Sequence, residues 1–243
     1  MPESLTLTNL LDDAAILSLE HQIHLEEVLG EHSWSVDLRE QRFEFTGSRT
    51  ITCTRFHLLG SAAPGPESWL WAWANPSGFP EPLTALSGTL RDFGQRFGIA
   101  ELASAEVPFA ALPTSPAEPH FAAAILTEAA KAVTGHWTSY NGDAGGGTRA
   151  AFLVEHPDFQ LPPPEPVRVM RVLQQALTLP LLTDHRRAVH GYAVRRGLGV
   201  SHSDDAGGDR LTLTGPGFEA AVDFDEHGRV GNITGNLSAP RGA

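Results

Sequence analysis

The sequence predicts an α+β fold in which antiparallel sheets are flanked by helices. Short runs of alternating apolar and polar residues, typical of half-buried strands, follow one another between longer segments with helical periodicity. Strands and helices do not alternate strictly, as they would around a parallel sheet. The 243 residues include 24 glycines and 18 prolines, a content that indicates many turns between short elements.

The N-terminal part of the chain is predicted to form a helix, four strands and a second helix. Apolar residues recur at helical spacing over residues 10–30 and again over 82–97. Between these segments the period changes to two, since Phe43 and Phe45 alternate with charged neighbours. The four predicted strands cover residues 34–38, 42–46, 50–59 and 69–75.

A third helix, a hairpin, two further helices and a C-terminal meander complete the predicted elements. Ser115-Pro116-Ala117-Glu118 has the pattern of an N-cap, an N1 proline and a capping glutamate, which predicts a helix to about Val133. Strands 137–140 and 149–154 enclose a glycine-rich loop at 141–147. Beyond them, the periodicity predicts helices at 166–178 and 183–196 and strands at 198–203, 209–214, 217–224 and 229–234.

The distribution of charge and proline predicts two domains. Residues 1–165 carry 21 acidic and 8 basic side chains, whereas residues 166–243 carry 8 acidic and 9 basic ones. The change coincides with a proline cluster, which favours a stiff, extended connection. We therefore predict an acidic α+β domain over 1–160, containing a tryptophan-rich strand, and a smaller helix–sheet unit over 167–243.

A weak internal repeat indicates that a helix–three-strand unit is duplicated. Arg42-x-x-x-Thr-Gly47 and Arg210-x-x-x-Thr-Gly215 match, and each follows a predicted helix, a glycine and a strand. The alternative is that two short meanders have converged on similar hairpins.

The composition excludes several classes of protein. No apolar run approaches the length of about 20 residues that a membrane-spanning helix needs, and the N-terminus lacks the pattern of a secretory signal. The single cysteine, Cys53, cannot form an internal disulfide, and the net charge of −12 argues against nucleic-acid binding. We expect a soluble, cytoplasmic monomer or homodimer that binds neither membrane nor nucleic acid.

The tryptophan-rich segment is the most unusual stretch of the sequence. In a strand, Trp69, Trp71 and Trp73 would lie on one face of the sheet. Such a wall could bind a ligand, because pockets are commonly lined by aromatic rings with a few polar groups. The alternative is that the indoles pack beneath helices. The candidate ligand-binding residues are therefore Trp69, Trp71, Trp73, Asn75, Tyr140 and His21.

This segment also carries a resemblance to a known family. The stretch Trp69-Leu-Trp-Ala-Trp-Ala-Asn75, followed by Pro76 and the predicted helix from Pro82, is similar to a family of uncharacterised bacterial proteins marked by a W-x-W-A-N strand. The similarity includes Trp34-Ser-Val-Asp37 and the hairpin around Tyr140. The resemblance covers residues 25–154. The family has no assigned activity, so the resemblance supports the first domain and implies no catalytic residue.

Other chemistry-bearing patterns predict no catalytic, metal or cofactor site. Glu20-His21-x-x-His24-x-x-Glu27 has helical spacing, but it matches no zinc motif, and a core histidine beside solvated carboxylates explains it. No nucleophile motif or nucleotide-binding loop is present. We therefore expect a non-enzymatic binding or adaptor protein with a protein partner. The alternative is a small-molecule-binding protein or hydrolase-type enzyme with a tryptophan-lined pocket.

Overall fold

The computed structural model describes residues 4–205 and 208–237, and it confirms the predicted α+β class. The described residues form helices and three antiparallel sheets. Contacts between Cα atoms group them into two compact units. The first unit contains the residues up to 10 and residues 21–160, and the second contains residues 11–20 and those from 161 onward. The predicted domains 1–160 and 167–243 stay a prediction.

The first helix, α1, spans Leu7–Leu29 and begins three residues earlier than predicted. A reciprocal cap explains this start. The Thr6 hydroxyl accepts from the backbone N–H of Asn9 at 3.2 Å, and the Asn9 side chain accepts from the Thr6 N–H at 3.0 Å. The helix ends before Gly30, which has a φ of 57°. Glycine adopts this positive φ readily because it has no Cβ.

The first unit contains two antiparallel sheets. A three-stranded sheet has the order β1-β2-β3, with strands Ser33–Asp37, Arg42–Thr46 and Thr50–Thr52. A five-stranded sheet has the order β6-β5-β4-β8-β7. In chain order its strands are β4 Arg55–Ala63, β5 Ser68–Trp71, β6 Glu106–Pro108, β7 Ser139–Asp143 and β8 Arg149–Glu155. The phenylalanines of β2, β4 and β8 form much of a shared core.

The predicted strand 50–59 is wrong, because the chain changes sheets within it. The Cys53 N–H donates to the Phe43 carbonyl in the three-stranded sheet at 2.9 Å. The next N–H, that of Thr54, donates at 2.8 Å to the Glu155 carbonyl in the five-stranded sheet. The segment is therefore divided between β3 and β4.

The predicted strand 69–75 is also too long. Strand β5 ends at Trp71, and Ala72–Ala74 form a turn of 3-10 helix. Since side chains alternate only within a strand, Trp73 does not continue the row formed by Trp69 and Trp71.

The helices of the first unit after α1 are α2 Glu81–Phe97, the short α3 Ala100–Ala103 and α4 Pro119–Thr134. The predicted cap of α4 is wrong. Its N-cap is Glu118, because Pro119 occupies the first helical position and favours extended backbone in the residue before it. The predicted hairpin is confirmed, since β7 and β8 pair antiparallel around the glycine-rich loop.

The second unit contains two helices and a four-stranded antiparallel meander, in addition to residues 11–20 of α1. The helices are α5 Pro166–Ala176 and α6 His185–Arg195, both close to their predicted ranges. The sheet has the order β12-β11-β10-β9, with strands β9 Gly199–Asp205, β10 Gly208–Gly215, β11 Phe218–Phe224 and β12 Val230–Leu237. A helix thus precedes a meander in both units, and duplication stays a prediction.

Candidate metal centre

Three side chains that commonly bind metals converge in the first unit. His57, His136 and Glu155 each place one ligand atom within 4.8 Å of the other two. The carboxylate oxygen Oε1 of Glu155 lies 3.2 Å from His57 Nε2 and 3.4 Å from His136 Nε2. In the described part of the chain, no other group of three such residues lies this close together.

The pairing of β4 with β8 brings His57 and Glu155 together. His57 is opposite Leu153, and Arg55 is opposite Glu155. Because side chains alternate along a strand, Arg55, His57 and Glu155 lie on one face, with His57 and Glu155 as diagonal neighbours. A carboxylate directly opposite an arginine would be expected to pair with it, yet Glu155 contacts the two histidines instead.

His136 reaches the same place from the end of α4. Gly135 ends that helix in the left-handed conformation, at φ 73°, and His136 follows it directly. The Nδ1 atom of His136 lies 3.2 Å from the Thr134 carbonyl oxygen. That contact holds the ring with Nε2 towards Glu155, in the way that outer hydrogen bonds orient metal-binding histidines.

The three ligands differ in burial. The side chain of His57 is 10% exposed, and that of Glu155 is 37% exposed. Burial lowers the pKa of His57, and its hydrogen bond with Glu155 opposes this shift only in part. The imidazole of His57 is therefore neutral at neutral pH, which is the form that binds metals. Its Nδ1 atom is buried and has no hydrogen-bond partner among the described residues.

A cavity of about 460 Å³ adjoins His57. Its lining comes from the start of β4, from the β1–β2 turn and from the first turns of α2, and consists of residues 54–57, Gln41, Pro82, Leu83 and Ala85. This volume is within the range of small-molecule pockets, about 300–1,000 Å³.

Two of the predicted ligand-binding residues are fully buried in the first unit. The rings of Trp69 and Trp71 are 5.2 Å apart, edge to face, and neither residue is exposed to solvent. The Trp71 indole N–H donates to the Glu101 carbonyl at 2.9 Å, whereas the Trp69 indole nitrogen has no partner in the part of the chain that the structure describes. Gly60 makes room for this packing, because a Cβ there would lie 2.6 Å from the Trp69 ring.

The other four predicted residues are distributed over the same unit. Trp73 is half-buried under the guanidinium of Arg91, and Asn75 accepts from the Ser77 N–H at 2.9 Å. His21 Nδ1 lies 3.3 Å from the Thr138 hydroxyl. Tyr140 packs against Trp34 and Phe45, and burial raises its pKa.

None of these six residues belongs to the cluster around Glu155 or lines the cavity. Their role in ligand binding stays a prediction.

Two residues of the pattern Glu20-His21-x-x-His24-x-x-Glu27 have partners outside it. Glu20 pairs with Arg196, and His24 Nε2 lies 3.0 Å from the Asp158 carbonyl oxygen.

Sequence reasoning missed the cluster because its members are far apart along the chain and match no spacing motif. The available signals were two polar residues in apolar strands. His57 lies between Phe56 and Leu58, and Glu155 ends the run from Ala150 to Val154. Neither signal shows that the end of α4 adds a second histidine.

Comparison with known proteins finds a match to one family model. The model of a family of unknown function (DUF6882) matches residues 8–157, a range that includes the predicted similarity over 25–154. No curated protein and no solved structure matches. Among the described residues, no helix combines the length and apolar character needed to cross a membrane.

Proposed function

Because the chain belongs to DUF6882, a family whose function is unknown, we propose a function from the site itself: the protein binds a divalent transition-metal ion of the zinc class. The ligands are Nε2 of His57, Nε2 of His136 and the carboxylate of Glu155. The observation that carries this proposal is the position of Glu155 Oε1, within 3.4 Å of both imidazole nitrogens.

The surroundings of the two ring nitrogens of His136 favour a cation between His136 and Glu155. Its Nδ1 atom faces the Thr134 carbonyl oxygen and its Nε2 atom faces Glu155, so both ring nitrogens lie against acceptors. A neutral imidazole carries one proton and can donate to only one of them. The second contact then places an imidazole lone pair against a carboxylate oxygen, and a metal cation bound by both atoms makes this arrangement favourable.

The distances also fit a metal. Zinc binds imidazole nitrogen at about 2.0–2.1 Å in tetrahedral geometry, so two of its ligands are separated by about 3.3 Å. The separations of 3.2 and 3.4 Å between Glu155 and the two histidines match this value. A set of two imidazoles and one carboxylate suits zinc or ferrous iron better than calcium or magnesium, which prefer oxygen ligands.

Titration of the metal-free protein with Zn²⁺ in a calorimeter tests the proposal. We expect one ion per chain, and roughly 100-fold or greater loss of affinity in His57→Ala, His136→Ala and Glu155→Gln. His120→Ala is the matched control, because His120 is an exposed histidine on the same helix that ends before His136. Circular dichroism verifies that each variant is folded. Absence of stoichiometric binding by the wild type, or equal loss in His120→Ala, contradicts the proposal.

A hydrolase-type enzyme is the second candidate, and the incomplete ligand set favours it. Three protein ligands leave one tetrahedral position open, as in catalytic zinc sites. Hydrolysis of 4-nitrophenyl acetate or 4-nitrophenyl phosphate by the zinc-loaded protein, lost in Glu155→Gln, is the expected result for an enzyme. Binding of Zn²⁺ without turnover favours a non-enzymatic binding protein, and the adaptor role predicted from sequence then remains to be tested by partner capture.

A further inference from the structure

We infer that the cavity beside His57 binds a small organic anion, a carboxylate or a phosphate monoester, through the guanidinium of Arg55. The inference deepens the proposed function, on which it rests for the metal ion at the His57 end of the cavity.

The charge of the cavity lining indicates an anionic ligand. The whole chain has 29 acidic and 17 basic side chains, so a randomly placed cavity would more often contain carboxylates than cations. The described lining contains Arg55 and no aspartate or glutamate. A lining with one guanidinium and no carboxylate favours a negatively charged occupant, and the proposed metal ion would offset the charge of Glu155 beside His57.

Arg55 is available for such an occupant. It lies directly across the strand pair from Glu155, but that carboxylate contacts His57 and His136. Over residues 4–205 and 208–237, Arg55 takes part in no ion pair or side-chain hydrogen bond. Arginine presents a planar set of donors that matches carboxylate and phosphate oxygens in pairs.

Gln41 adds a neutral donor at the same cavity. It occupies the β1–β2 turn with φ 50°, a left-handed conformation that is costly for a residue with a side chain. Its amide has no hydrogen-bond partner in the described part of the chain. The exposed side chain of Gln41 can therefore donate to a ligand in the cavity.

The remaining lining indicates that the anion carries an apolar group. Phe56 and Leu83 are part of the buried core, and Pro82 and Ala85 add carbon surface from the start of α2. Pockets of this volume typically combine an apolar lining with a few polar groups that fix orientation. We therefore expect binding of benzoate or phenyl phosphate rather than of inorganic phosphate alone.

Calorimetric titration with benzoate, phenyl phosphate and neutral benzamide tests the inference. The expected result is that at least one anion binds the wild type at least tenfold more tightly than benzamide does. Arg55→Gln should weaken that binding by tenfold or more, and Arg55→Lys by less, because lysine keeps the charge without the planar donor pair. Arg96→Gln is the matched control, since Arg96 is an arginine near the end of α2 and does not line the cavity.

Repeating the titrations with and without Zn²⁺, in wild type and Glu155→Gln, separates the two proposals. Anion binding that depends on Arg55 but not on Zn²⁺ supports the anion site and contradicts a contact between the anion and the metal ion. Enhancement by Zn²⁺ in the wild type alone supports both. Equal binding of anion and benzamide, or unchanged anion affinity in Arg55→Gln, overturns the anion site even if Zn²⁺ binds. The tighter of the two anions identifies the headgroup.

Discussion

Two carboxylates, Glu20 in the second unit and Glu155 in the first, are each contacted by nitrogen atoms of basic side chains. They differ in how completely their oxygens are hydrogen-bonded. In the second unit, Glu20 is fully buried. It accepts from Arg196 at 2.9 and 3.2 Å and from the Tyr192 hydroxyl at 3.0 Å. In the first unit, Glu155 is 37% exposed, and a single oxygen faces both His57 and His136.

The network around Glu20 is complete. Both carboxylate oxygens have donors, and Arg196 also donates to the Pro162 carbonyl at 2.5 Å. Burial, followed by the charge of Glu20, raises the pKa of Tyr192, so its hydroxyl stays protonated and donates. A network with every group paired stabilises one arrangement of the chain and has no position for a ligand.

The cluster around Glu155 is incomplete. Within residues 4–205 and 208–237, His57 Nδ1 has no hydrogen-bond partner, and two imidazoles are directed at one oxygen of Glu155. Leaving a buried polar atom unpaired costs about 1–3 kcal/mol, and a fold optimised for stability alone would avoid this cost. The two carboxylates therefore differ in saturation, since both oxygens of Glu20 have donors whereas His57 and His136 converge on one oxygen of Glu155.

Removing the complete network should have the largest effect. We expect Glu20→Ala to lower the free energy of unfolding by about 3–5 kcal/mol, because it leaves the buried guanidinium of Arg196 without a counter-charge. Urea unfolding followed by circular dichroism measures the change. A loss below about 1 kcal/mol would contradict the view that this network stabilises the fold.

Removing the incomplete cluster should affect metal binding more than stability. Without metal, we expect Glu155→Ala to lower the free energy of unfolding by at most about 1 kcal/mol, since its contacts are partly exposed. With Zn²⁺ at about 100 times the dissociation constant, the wild type should gain about 2.7 kcal/mol and the variant nothing. The same urea titration, with and without Zn²⁺, measures both. If Glu155→Ala lost as much unfolding free energy as Glu20→Ala, with or without Zn²⁺, both carboxylates would have the same structural role.

More of the fold than of the candidate metal centre could be predicted from the sequence. Local patterns determine the helices and hairpins, so the periodicity after residue 161 placed α5, α6 and the final meander closely. Errors arose where tertiary pairing decides, as at Cys53 and Thr54, which bond to different sheets. The cluster depends on the register of β4 with β8 and on the turn after α4. No local pattern in the sequence contains that register.

The two buried tryptophans offer a smaller version of the same comparison. Trp71 donates from its indole nitrogen to the Glu101 carbonyl, whereas no described residue pairs with the indole nitrogen of Trp69. Both side chains are fully buried, so replacement by phenylalanine removes similar packing. We expect Trp71→Phe to destabilise the fold by about 1 kcal/mol more than Trp69→Phe, because only the former leaves a carbonyl unpaired. Equal losses in urea unfolding would contradict this.

The smallest effect is expected at Cys53, the single thiol that could compete for a metal in the first unit. Burial raises the pKa of Cys53 to about 12. Since the ordinary value is 9.0, the thiol stays protonated at neutral pH, and forming the thiolate would destabilise the fold only above about pH 9. Metals bind the thiolate, so Cys53→Ala should change the Zn²⁺ dissociation constant by less than about twofold. A large loss of affinity in calorimetry would place the ion at Cys53 and remove Glu155 from its proposed role.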